Sequence, residues 1–538
     1  DANKGFFLNG KPLKLKGTNR HQDKDQKGSA LTNAEHIKDI VSIKEMGCNF
    51  LRLAHYPQDP EILKAADELG LLIWEEVPLV NYMTIAPEFL ENSKRMLKEM
   101  IRQHYNHPSV IIWGSMNEIF LWGNNEDRIR KQTDATYMEQ VGSYAKELNN
   151  LIKLEDPLRY TTLAMHMSDD YDKVGIEDLA EIASYNIYSG WYGGKFEDFG
   201  KTFDRKHENK PNQKIFISEY GAGSDKRLNA KNPERFDFTG QYQRMFNESY
   251  LRQINERPFI FGSAIWNQFD FSQPHIGGSI PLLNQKGMAT WDRKNKDVYY
   301  FYKANWNPEP MIHIAEKDWT QRSSITQEEN YEITIYSNLK KVTLFHNGKK
   351  IGTERPNDIN KATWNVLLKS GENNLRASGS ANGKLVEDFV KIELNNINET
   401  NSFAINVGSN AQYTDSYNIG TPTLMNRKYI INGSIHDPMY YTYLNDVNKY
   451  EVKTENGTYN VTLFFIENEK INEGERVFDV SINNEPVINN LDITKEIGFC
   501  YGMEKTFEVE VKNNKILIEF NPISGKAILS GLRISKSN

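Results

Sequence analysis

Two short motifs in this chain could carry acid–base chemistry. One is Val110-Ile111-Ile112-Trp113-Gly114-Ser115-Met116-Asn117-Glu118, and the other is Lys214-Ile215-Phe216-Ile217-Ser218-Glu219-Tyr220-Gly221. Each is an apolar run of β type that reaches a glutamate. Two buried strands delivering carboxylates to one rim meet the needs of glycosidic bond cleavage. One carboxyl protonates the departing oxygen, and the other attacks the anomeric carbon or activates water there. Either motif alone reads more simply as a strand running into a loop. The pair takes its meaning from the elements that position it.

Residues 1 to about 306 alternate short apolar runs with longer amphipathic ones, the pattern of βα units on a parallel sheet. Thr32 and Glu35 form a capping-box pattern ahead of Ile37, Ile40, Val41 and Met46, and Gly47 stops that helix. Asp59-Pro60 opens the next helix, and Gly70 follows it. Strand candidates then recur, each with a polar or aromatic residue just beyond its end. Run 13–17 leads to His21, 49–53 to His55, 71–74 to Glu76, and 110–113 to Asn117 and Glu118. Run 160–164 leads to His166, 183–187 to Tyr188, 214–217 to Glu219, and 260–265 to Trp266. Eight such units predict a (β/α)8 TIM barrel, whose C-terminal rim would gather all of these residues.

From about residue 309 the hydrophobic period changes to 2. Asn347-Gly348 signals a hairpin, and the segment 309–396 suits a small β-sandwich. A polar stretch around 395–402 reads as a linker. A second β-rich block, 403–538, has the length of a jelly roll. The predicted fold class is therefore an α/β barrel, 1–308, followed by two all-β domains.

Composition narrows the function classes. Net charge is −7 with acids and bases intermixed, which argues against a nucleic-acid partner. No apolar run is long enough for a membrane span. An aromatic content of 12% is high, and aromatic faces suit sugar rings as well as cores. The two cysteines, Cys48 and Cys500, do not suggest a disulfide framework, and Cys48 reads as a small buried residue. No His/Asp/Glu cluster has metal-ligand spacing, so no metal site is assigned, and no cofactor is implied. The start of the chain does not read as a signal peptide.

The motifs Thr18-Asn19-Arg20-His21, Arg52-Leu53-Ala54-His55-Tyr56-Pro57, Trp113-Gly114-Ser115-Met116-Asn117-Glu118, Ser218-Glu219-Tyr220-Gly221 and Trp266-Asn267-Gln268-Phe269 resemble the catalytic barrel of glycoside hydrolase family 2. The resemblance covers the first 306 residues. The middle segment resembles the immunoglobulin-like domain that follows such barrels. Phe403 to Gly408 and Leu529 to Ile534 resemble the two ends of a malectin-like carbohydrate-binding domain. Family members normally carry a jelly roll and a sandwich before the barrel, whereas this chain opens almost directly on the first barrel strand.

The resemblance implies a retaining exo-β-glycosidase with Glu118 as acid/base and Glu219 as nucleophile. Retention expects carboxyls roughly 5–5.5 Å apart. Asn117 would bond the sugar 2-hydroxyl, and Tyr188 would fix the nucleophile. Arg52 would support Glu219 from behind, and Glu76 is expected to be a buried ion-pair partner. His21 and His55 would line the sugar pocket. Trp266 and Trp191 would offer stacking faces or fill the core. The partner is a carbohydrate, a polysaccharide-derived oligosaccharide, and the resemblance places the protein in the periplasm or outside the cell.

Two features of the sequence bear on the sugar. Asn186-Ile187-Tyr188-Ser189-Gly190-Trp191-Tyr192 resembles the β-glucuronidase segment that sets a tyrosine near the substrate carboxylate. Asn284-Gln285-Lys286-Gly287 matches the Asn-x-Lys pattern with which those enzymes hold it, and an ammonium beside an amide donor suits a carboxylate. Ile280 stands where some of those enzymes have arginine. The reading is β-glucuronidase, with β-galactosidase as the alternative. A reading of another class is a non-catalytic glycan-binding protein. In the tail, Tyr413, Tyr417, Tyr440 and Tyr441 are candidate sugar contacts.

Overall fold

A computed structural model describes residues 1–121, 126–274, 276, 278–324, 326–396, 402–406, 412–413, 416–417, 423–424, 429–434 and 437–537. The chain divides into two compact units. The first comprises Asp1–Ala222, Met245–Phe271 and Lys286–Glu309. It holds eight parallel strands: β1 (Leu15–Arg20), β2 (Phe50–Leu53), β3 (Leu72–Glu76), β4 (Val110–Asn117), β5 (Tyr160–His166), β6 (Ile182–Asn186), β7 (Ile215–Glu219) and β8 (Ile260–Ile265). They pair in chain order, and β8 closes on β1. The expected eight runs are these eight strands, each within a few residues of its predicted bounds.

Local chemistry explains the connections. Thr32 and Glu35 form the capping box of the helix Asn33–Met46, and Gly47 ends it in the left-handed region at φ 97°. Asp59 accepts the Glu61 N–H at the start of Pro60–Leu69. Leu15, Phe50, Trp74, Ile112, Ile182, Phe216 and Phe261 fill the barrel interior. Gly114 permits that packing. A Cβ there would lie 2.3 Å from Trp74 Nε1 and 2.8 Å from Glu76 Cβ. Cys48 is buried, as expected of a small packing residue.

The second unit comprises Gly223–Arg244, Ser272–Gln285 and Pro310–Asn538. Its first part has two sheets. One holds Ile312–Ile314, Glu328–Ser337 and Lys361–Lys369, and the other holds Gln321–Ser324, Val342–His346, Lys349–Glu354, Gly371–Ala381 and Lys384–Asn396. Between them lies an apolar core including Trp319, Tyr331, Ile335, Leu344 and Trp364. Asn347 and Gly348, at φ 48° and 78°, make the hairpin turn that their sequence signals. The rest is also β-rich, with sheets of five, four and three strands.

Segment 223–244 lies between β7 and β8 in sequence and segment 272–285 follows β8, but both belong to the second unit. Ion pairs explain part of this. Arg244 meets Glu316, which also meets Arg322, and Lys226 meets Asp318. Leu228–Asn229 also pairs antiparallel with Gln412–Tyr413. In the tail, Tyr440 and Tyr441 are buried and so present no face to a sugar. The side chains of Tyr413 and Tyr417 lie outside the described residues. Among the described residues, no helix is long and apolar enough to cross a membrane.

Candidate active site

The centre of the barrel mouth is Arg52, fully buried on β2. Its Nε and Nη2 donate to the two carboxylate oxygens of Glu76 at the end of β3, at 3.0 and 2.9 Å. Its Nη1 donates to Glu219 Oε1 at the end of β7, at 2.8 Å. Its Nη2 also donates to Asn117 Oδ1 on β4, at 2.9 Å. One planar fork thus ties the ends of β2, β3, β4 and β7 together, as only a guanidinium can. Burial alone would raise the Glu76 carboxyl, but the Arg52 charge and His55 outweigh it and hold Glu76 below the usual carboxylate range. Glu76 is thus the buried ion-pair partner that was expected.

Glu219 is 4% exposed and doubly held. Oε1 takes Arg52, and Oε2 accepts the Tyr188 hydroxyl at 2.8 Å. Burial and the Glu219 charge push the Tyr188 phenol well above its ordinary value, so it stays a donor at neutral pH. Tyr188 follows β6, and it packs against the cluster of Ala54, Trp266 and Phe271.

Glu118 follows β4, whose register against β5 shifts between Gly114 and Asn117. Glu118 itself has φ 51°, a left-handed conformation costing a non-glycine residue on the order of 1 kcal/mol. Asn186 at the end of β6 donates through Nδ2 to Glu118 Oε1 and Asn117 Oδ1, both at 3.0 Å. The Ser218 hydroxyl donates to Asn186 Oδ1 at 2.7 Å and fixes which way that amide faces. Burial first, and the charge of Glu219 second, raise the Glu118 carboxyl to about 7. Asn186, Arg52 and Lys286 hold it back. One carboxyl is thus held protonated near neutrality beside another fastened to a guanidinium. This is the asymmetry that assigns two acids different roles.

His21, His55 and Trp266 form one cluster. His55 stacks on Trp266 at 5.0 Å, and His21 stands edge-on to Trp266 at 5.3 Å. His55 Nδ1 lies 2.7 Å from Glu76, a carboxylate, so that nitrogen carries the proton. Burial and the neighbouring His55, Arg52 and Arg20 lower the His21 imidazole well below its ordinary value, leaving it neutral. Lys286, 3% exposed, donates to the Tyr192 hydroxyl at 2.7 Å, and its ammonium lies 4.9 Å from the Tyr192 ring and 5.6 Å from that of Tyr188. Tyr192 itself is 59% exposed.

Asn284 belongs to the second unit, where its amide donates to Gln273. Trp191 is fully buried. Sequence reasoning did not single out Asn186 and Ser218. Their signal was position, since each sits at or beside a strand end already counted. Among the described residues, no group of three or more His, Cys, Asp or Glu is placed to hold a metal ion.

A closed parallel barrel with paired carboxylates at its strand ends is the architecture of a glycoside hydrolase barrel. Residues 2–309 match the TIM barrel domain of glycosyl hydrolases family 2, and the chain belongs to that family. Residues 392–536 match the malectin domain, and 328–387 match a domain of unknown function. The chain is 37% identical over 409 residues to a β-glucuronidase of Bacteroides fragilis, covering 73% of this chain and 55% of that one. It is 27% identical to human β-glucuronidase, over 56% of this chain and 45% of that one. A crystal structure of Bacteroides uniformis β-glucuronidase superposes with a TM-score of 0.92 at 35% identity, over 100% of this chain and 67% of that one. Bacteroides uniformis β-glucuronidase 2, solved covalently bound to cyclophellitol-6-carboxylate aziridine, superposes with a TM-score of 0.90 at 35% identity, with the same coverage. The chain spans about half the length of the curated relatives it matches.

Proposed function

We propose that this protein is a retaining exo-β-glucuronidase acting on terminal β-linked uronic acids of oligosaccharides. The observation that carries the sugar assignment is Lys286, an ammonium bonded to Tyr192 and near enough to Glu118 to depress its pKa. A buried cation with a hydroxyl beside it is a receptor for a carboxylate. The β-glucuronidase relatives support the same reading.

Glu219, oriented by Arg52 and Tyr188, attacks the anomeric carbon as the bond to the aglycone breaks. Glu118 gives its proton to the departing oxygen. In the second half, Glu118 takes a proton from water, that water attacks the same carbon, and the Glu219 carboxylate leaves. Asn117 accepts both Arg52 and Asn186 at Oδ1, which leaves its Nδ2 the role of donor to the sugar 2-hydroxyl. The covalent adduct of the Bacteroides uniformis relative supports a covalent route.

The test compares nitrophenyl β-glucuronide with nitrophenyl β-galactoside before and after Lys286→Ala. The expected result is a glucuronide preference that collapses by tenfold or more in the variant. A preference that does not move removes Lys286 from sugar recognition. Turnover of the galactoside alone favours the β-galactosidase reading. Glycan binding without turnover of either favours a non-catalytic protein.

A further inference from the structure

Lys286 reads a substrate carboxylate only if its position is fixed, and a lysine on a loop is ordinarily free to move. Its segment is therefore tied down by backbone. The Asn267 N–H donates to the Lys286 carbonyl at 3.1 Å, and the Met288 N–H to the Asn267 carbonyl at 2.9 Å. One contact in this arrangement is ionic. Asp270, four residues beyond Trp266, accepts the Gly287 N–H at 2.8 Å and the Lys296 ammonium at 2.8 Å on the same Oδ1. The Lys296 N–H in turn donates to the Met288 carbonyl. Asp270 and Lys296 are 3% and 4% exposed. Gly287 is indispensable here, since a Cβ would lie 2.2 Å from the Asp270 nitrogen and 2.4 Å from the Ala289 oxygen.

A buried ion pair adds little net stability over apolar packing of the same volume, so its presence calls for a positional explanation. We propose that the Asp270–Lys296 pair is a positioning device for Lys286: through the Gly287 N–H it sets the register of the segment carrying the ammonium, and with it the selectivity for a uronic acid. This inference rests on the reading of Lys286 as the carboxylate-binding cation. Asp270 touches no substrate and acts through Gly287.

The experiment removes both charges at once, so that no buried charge is left unpaired. Asp270→Asn/Lys296→Met retains an oxygen for the Gly287 N–H, and Asp270→Ala/Lys296→Met does not. Lys286→Ala is run in parallel, with KM and kcat on nitrophenyl β-glucuronide and thermal unfolding of every variant. The alanine double variant is expected to raise KM tenfold or more with kcat within threefold. The asparagine double variant is expected to stay within threefold of wild type in both. If Lys286→Ala raises KM while both double variants match wild type, the positioning role is overturned and the reading of Lys286 stands. Equal losses in the two double variants, tracking a common drop in melting temperature, reduce the pair to a structural role and also overturn it. If Lys286→Ala leaves KM unchanged, the reading beneath the inference fails first.

Discussion

Tyr188→Phe separates the two halves of the proposed reaction. The substitution keeps the ring that packs against the cluster of Ala54, Trp266 and Phe271 and removes the 2.8 Å hydrogen bond to Glu219 Oε2. A hydrogen bond to a charged acceptor contributes about 1.5–3 kcal/mol. That energy is fully present when Glu219 is a carboxylate and diminishes when it is esterified to the sugar. In the first step the bond therefore holds the ground state and orients it, and the two effects oppose each other. In the second step Glu219 departs as an anion, and the bond stabilises the developing charge. Deglycosylation should slow by about 10- to 150-fold, and kcat/KM should fall much less. The assay is stopped-flow release of nitrophenolate, with steady-state kcat and kcat/KM measured on the same preparation. The expected trace is a burst of one nitrophenolate per enzyme followed by a slow phase. Equal falls in kcat and kcat/KM with no burst, or no fall in either, would refute this reasoning.

Other outcomes follow from the same geometry. Glu118 must be protonated to act as acid, and its carboxyl is raised to about 7, so kcat/KM should fall tenfold per pH unit above about 7. Lys286 holds that carboxyl down, so Lys286→Ala should move the alkaline limb to higher pH, which a pH–rate profile on a neutral aryl glycoside would register. A folded-state value raised from 4.5 to about 7 means that Glu118 favours folding fully below pH 4.5 and loses that contribution as pH rises to about 7. Glu118→Gln should therefore be inactive yet more stable than wild type at pH 8, by up to about 3 kcal/mol in denaturant unfolding, with no such gain at pH 4.5. Arg52→Met leaves Glu76 and Glu219 buried without their cation, and should lower unfolding free energy by about 3–5 kcal/mol. Gly114→Ala forces a methyl onto Trp74 and Glu76, and should lower the melting point through overpacking of about 1–3 kcal/mol.

Much of the barrel was legible because βα units write themselves locally. The 13–17 and 49–53 runs, the Thr32–Glu35 box and the Gly47 and Gly70 stops all depend on near neighbours. Glu118 and Glu219 stood out because each follows an apolar strand. Arg52 was suggested only as support for Glu219. That one guanidinium also binds Glu76 and Asn117 depends on β2, β3 and β4 being adjacent, a matter of tertiary closure. Asn186 and Ser218 were missed for the same reason. An asparagine ending a strand looks like a turn former until the acid it contacts is brought alongside. Segments 223–244 and 272–285 were read with the barrel because both lie within its first 306 residues, and for 223–244 long-range contacts, the Arg244–Glu316 ion pair and the pairing of Leu228–Asn229 with Gln412–Tyr413, are what tie it to the second unit. Tyr440 and Tyr441 were misleading, since an aromatic pair in a β domain does not disclose which face it takes.

The central claim is that Glu219 forms a covalent bond to the sugar while Glu118 supplies the proton. It is tested most directly by inactivating the enzyme with a glucuronic-configured cyclophellitol aziridine and locating the label by intact-protein mass and peptide sequencing. The account predicts one equivalent per chain, attached to Glu219, and no labelling of the Glu219→Ala variant. A label on any other residue, or protein that remains unmodified while still hydrolysing glucuronides, would contradict it.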